Sequence, residues 1–81
     1  MINTDLLDYN FDNTVSAHFF CDSWPSLDLF EDPTFQEGCS VEYREDLQTL
    51  RVDAPTTEQL QAIVNSDNWP KGLQQIFPVL D

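Results

Sequence analysis

Two stretches of alternating apolar and polar residues, Ser40-Val41-Glu42-Tyr43-Arg44 and Thr49-Leu50-Arg51-Val52-Asp53, stand four residues apart, and this spacing constrains the fold more than any other feature of the chain. Alternation of this kind marks strands with one buried face, and a link of that length makes a hairpin. The register follows from the same residues. Pairing Tyr43 with Leu50 and Val41 with Val52 gathers the apolar side chains on one face and sets Glu42 opposite Arg51 on the other. A slip by one residue turns the apolar set outward, and an opposite-charge cross-strand pair contributes about 0.2–1 kcal/mol.

A third alternation runs from Thr14 to Cys21, with Val15, Ala17, Phe19 and Cys21 on one face and Ser16, His18 and Phe20 on the other. Beyond Ala54-Pro55, the run Thr56-Thr57-Glu58-Gln59 has the form of a capping box with Thr56 as N-cap. Leu60, Ile63 and Val64 continue it at helical spacing, which predicts a helix over 57–66 with one apolar stripe. Asn68-Trp69-Pro70, followed by Leu73, Ile76 and Phe77, predicts a second short helix near 70–77 that Pro78 ends. The expected fold is therefore α+β: a small three-stranded antiparallel sheet with the 57–66 helix packed on one face and the second helix near the C-terminus. Strand order is open, and residues 1–13 fit a helix, an extra strand or a tail.

Acidic chains are often disordered, but disorder goes with few aromatic and apolar residues. Here 41% of residues are hydrophobic and 12% aromatic, so residues 1–81 are read as one small folded domain. A chain of this size buries only somewhat more than about 60% of its unfolded surface, which leaves a thin stability margin. The connection from Asp22 to Gly38 holds Pro25, Pro33 and Gly38 and so is not one regular element, although Pro25 to Phe30 suits a turn or two of helix. Loops longer than about 12–15 residues are often functional. This one is the leading site candidate.

The amino-terminal MINTDLLDYNFDN has neither a basic segment nor an uninterrupted apolar core, so no signal peptide or membrane span is expected there and the expected location is the cytoplasm. Cys21 and Cys39 are then expected as free thiols, small residues at strand positions. Several chemistries lack their residues. With only Gly38 and Gly72, the chain has no phosphate-cradling loop or dinucleotide fingerprint. His18 is the single histidine, in no recognisable triad, and with two cysteines it does not make a zinc site. Asp8-Tyr9-Asn10-Phe11-Asp12-Asn13 looks like the start of an EF-hand loop, but Asn13 stands where glycine is usual and Phe19 where a glutamate should ligate. No enzyme and no cofactor are expected.

The charge is what points to a function. The net charge is -12, and residues 1–46 hold eleven acids against one base, whereas residues 47–81 hold four acids against two bases. A small domain needs a net charge of magnitude only about 2–8 to stay soluble. Such an excess repels nucleic acid and anionic membranes and favours a basic partner. Carboxylates on neighbouring helix or strand positions sit about 5–7 Å apart, the scale of a phosphate backbone. In size and charge, though not in any motif, the chain resembles phage-encoded DNA mimics, including anti-CRISPR proteins and uracil-glycosylase inhibitors.

The resemblance implies an inhibitor that occupies the basic nucleic-acid-binding surface of a target protein and binds no nucleic acid itself. Asp22, Asp28, Glu31, Asp32, Glu37, Glu45 and Asp46 would supply the charge, and Trp24, Phe30 and Phe35 the desolvated anchors. Each ring taken singly is better explained as core. The alternative is a small acidic interaction module, an immunity protein or adaptor, for which Leu6, Leu7, Tyr9 and Phe11 matter as much as the acids. A homodimer is compatible with both.

Overall fold

The computed structural model describes residues 2–22, 35, 38–70 and 72–78. Among these, an α+β fold is formed by a five-stranded antiparallel sheet and one α-helix: β1 (Asp8–Tyr9), β2 (Val15–Phe20), β3 (Ser40–Arg44), β4 (Thr49–Ala54), α1 (Thr57–Val64) and β5 (Gln74–Ile76), with a single 3-10 turn at Thr4–Leu6. The order is β1-β2-β4-β3, and β5 also pairs with β2. The short strands β1 and β5 share one edge of β2, β1 beside Val15 and Ser16 and β5 beside His18 to Phe20. The expected turn of helix at Pro25 to Phe30 lies outside the described residues.

The β3–β4 hairpin has the register its side chains dictate: Val41 opposite Val52, Glu42 opposite Arg51, Tyr43 opposite Leu50. Its four-residue turn closes through the Leu47 amide on the Arg44 carbonyl and the Gln48 amide on the Glu45 carbonyl, with Gln48 at φ 49°. Strand β2 then pairs with β4 along its whole length, Ala17 opposite Val52 and Phe19 opposite Leu50. This alignment puts Val15, Ala17, Phe19, Leu50, Val52 and Ala54 on one face, all buried.

Helix α1 covers that face. Thr56 caps it as expected, accepting the Gln59 amide on its hydroxyl at 3.1 Å, and Leu60 and Ile63 are fully buried against the sheet. Ile2, Leu7, Cys21 and Trp69 complete the core, with Trp69 edge-on to Phe19 at 5.3 Å between ring centroids. The N-terminal residues are thus structured: a 3-10 turn and a strand, carrying two core side chains.

The second helix expected near 70–77 is replaced by strand β5. Gly72 at φ +80° interrupts any helix starting at Pro70. The helical spacing of Leu73, Ile76 and Phe77 is overridden, because the open edge of β2 takes up the backbone hydrogen bonds of Gln74–Ile76. Gly38, at φ +91°, leads into β3 in a backbone conformation that strains any other residue, and a Cβ there would crowd the Pro55 ring at 3.0 Å. Cys21 and Cys39 lie at opposite ends of the sheet and are not bridged to each other. On β4, Cys21 is level with Gln48 and Cys39 with Ala54, a separation of roughly 20 Å along the strand against the ~7 Å between Cα atoms that a disulfide tolerates.

Candidate functional site

At the end of the sheet where β2 leaves and the β3–β4 hairpin turns, three of the sequence-predicted site residues come together. The Cys21 amide donates to the Gln48 carbonyl at 2.9 Å and the Tyr43 hydroxyl to the Cys21 carbonyl at 2.8 Å, which fixes the start of the Asp22–Gly38 connection beside the hairpin turn. Asp22, Glu45 and Asp46 are therefore neighbours, and all are exposed. Arg44 pairs with Asp46 at 3.0 Å. Desolvation first, then electrostatic interaction with Cys21, Glu45 and Asp22, raises the Tyr43 phenol above its ordinary 10.0.

Phe35, the fourth predicted residue described, is half-buried and packs against the core. Trp24, Asp28, Phe30, Glu31, Asp32 and Glu37 lie outside the described residues.

The face of the sheet opposite α1 carries a polar network that the sequence did not reveal. Asp53 accepts from Arg51 Nε at 2.9 Å, from Ser40 Oγ at 3.1 Å and from Ser16 Oγ. Ser16 Oγ in turn accepts from Asn10 Nδ2 at 2.8 Å and Arg51 Nη2 at 3.3 Å. Arg51 thus turns along its own strand to Asp53 rather than across to Glu42, because Asp53 on β4 and Ser16 on β2 face each other in the register. The signal was available in the i, i+2 spacing of Arg51 and Asp53, but the partner Ser16 appears only once β2 is placed beside β4.

His18 sits on the same face, 3% exposed, beside Arg51 on β4 and Ile76 on β5. Its Nδ1 is buried with no hydrogen-bond partner among the described residues. Burial, and then the Arg51 charge, lower its pKa from 6.5, against smaller opposing contributions of Asp8 and Asp53. No bond joins His18 to Ser16 or Asp53 among the described residues, so these do not form a nucleophile-base pair there. The network ties strands together.

The segment that looked like an EF-hand start is the β1–β2 hairpin turn. The Asn13 amide donates to the Asn10 carbonyl at 3.1 Å and the Asn10 amide to the Thr14 carbonyl at 2.9 Å, with Asn13 at φ 68° in the place glycine often fills. Asp12 accepts from the Thr14 hydroxyl at 2.6 Å and the Thr14 amide at 3.2 Å, and these two bonds lower its pKa from 3.8. Among the described residues no group of three or more His, Cys, Asp or Glu side chains is arranged to hold a metal ion.

A cleft of about 360 Å³ opens between the end of α1 and β5, lined by residues including Phe19, Val64, Trp69 and Leu73. No described helix is long and apolar enough to cross a membrane. Comparison with protein families, curated proteins and solved structures found no match to this chain.

Proposed function

We propose that this chain is an inhibitor that binds the basic nucleic-acid-binding surface of a target protein by presenting carboxylates in place of phosphates. The observation that supports this reading best is the net charge of -12 combined with what becomes of the arginines. Arg51 is held by Asp53 within the sheet network and Arg44 by Asp46 at the hairpin turn, whereas Asp5, Asp22, Glu42, Glu45, Glu58 and Asp67 are exposed and make no ion pair among the described residues. Asp22, Glu45 and Asp46 come together at one end of the sheet, and Asp22 opens the long connection that carries Asp28, Glu31, Asp32 and Glu37 in sequence. In this reading the protein works in the cytoplasm, catalyses nothing and needs no cofactor.

The test is charge reversal. Asp22→Lys and Glu45→Lys change exposed positions, so the fold is expected to stay intact. Combined with reversal of Asp28, Glu31 and Asp32, they are expected to abolish retention of the basic protein that the parent chain holds from an extract of its native cells. Undiminished retention would refute the proposal.

A further inference from the structure

The β1–β2 hairpin exposes two aromatic side chains that the fold does not use. Phe11, in the turn, is fully exposed, and Tyr9 on β1 is 65% exposed. Both differ from the ordinary scattered surface residue in being fixed on a preorganised element. The turn is closed by the Asn10 and Asn13 backbone bonds, by the Asn10 side chain on Thr14 Oγ1 at 3.0 Å and on Ser16, and by Asp12 on Thr14. Because the backbone that presents the rings is already ordered, docking needs no ordering of the turn, and this preorganisation favours an interface anchor.

The surroundings fix the chemistry of what would receive it. Asp5, Asp8 and Asp12 lie on the same N-terminal unit. Arg44 is on β3 at the far side of the sheet, and Arg51, the nearer base, is held by Asp53 and Ser16 on the sheet face. Asp12 is held in its charged form by the Thr14 bonds. We infer that the β1–β2 hairpin is a docking element whose Phe11 and Tyr9 rings enter an apolar pocket rimmed by Lys or Arg on a basic partner protein. A second copy of this chain, equally anionic, does not offer that rim. This surface lies at the end of β2 opposite Asp22, Glu45 and Asp46, so it is a separate contact. The inference rests on the proposal of a basic partner but not on that partner's binding nucleic acid.

The experiment places p-benzoylphenylalanine at position 11, and in a control chain at the exposed position 58 on α1, and irradiates each in native-cell extract. Position 11 should cross-link to one dominant basic protein that position 58 does not label. Phe11→Ala with Tyr9→Ala should then weaken retention of that same protein about tenfold or more, with circular dichroism and thermal midpoint unchanged. Equal labelling from the two positions, labelling of an acidic protein, or unchanged retention of the double variant overturns the inference. Excess duplex DNA and duplex RNA separate the two proposals. If neither releases the partner but the double variant does, the hairpin stands and mimicry fails; if either releases it and the double variant holds, the reverse is true.

Discussion

At the scale of single residues, Asp53 joins the two central strands and the edge strand β3. It accepts bonds from Ser16, Ser40 and Arg51 and its side chain is only 21% exposed. Removing it leaves those donors without their acceptor, so Asp53→Ala should cost about 2 kcal/mol in urea denaturation. Glu42→Ala, on the strand opposite Arg51 but exposed and outside the network, should stay within about 0.5 kcal/mol. Equal effects would mean that Arg51 pairs across the sheet after all. His18 provides a pH dependence. Its pKa is lowered in the fold, first by burial, so the unfolded chain takes up the proton more readily. Its contribution is fully present above about pH 6.5 and is lost as pH falls below that value toward the lowered folded pKa. The stability difference between His18→Phe and the parent, measured by denaturation at a series of pH values, should shift toward the variant on acidification. A difference independent of pH would contradict this.

At the scale of elements, β5 and the N-terminal segment act as one unit. Gln75 clasps them with two bonds, its Oε1 accepting from the Asn3 amide at 2.8 Å and its Nε2 donating to the Asn3 carbonyl at 2.9 Å. Gln75→Ala should therefore speed amide hydrogen exchange in β1 and β5 together while leaving the β3–β4 hairpin unchanged. Exchange confined to β5 would show that the clasp couples nothing. The same elements mark what the sequence could and could not tell. The hairpin was legible down to its register because Val41, Tyr43, Leu50 and Val52 leave only one pairing with an apolar face, and α1 because Thr56 and the Leu60–Ile63 stripe agree. Strand β5 was not, since Leu73, Ile76 and Phe77 carry the helical spacing, and the decision lay with Gly72 at φ +80° and the vacant edge of β2, a tertiary feature. Of the candidate site, the gathering of Asp22 with Glu45 and Asp46 depends on the Cys21–Gln48 and Tyr43–Cys21 bonds, which no local pattern encodes.

At the scale of the molecule, charge and stability oppose each other. A net charge of -12 on a chain of 81 residues repels itself, and salt screens that repulsion. The thermal midpoint should rise between low salt and about 0.5 M sodium chloride, a range in which the Debye length shrinks from about 30 Å to under 10 Å. A midpoint that fell or stayed level would show that the acids are already compensated within the fold. The same screening should weaken the complex with a basic partner, so one condition that strengthens the protein loosens its hold. The central claim is that the carboxylates stand in for phosphates, and the most direct measurement is competition. The basic protein retained on the immobilised chain is washed with excess duplex DNA and, separately, duplex RNA at constant ionic strength, and the fraction released is read. Release by one of them, at a concentration that tracks the partner's own affinity for that nucleic acid, is the predicted result; a partner that stays bound in both washes contradicts it.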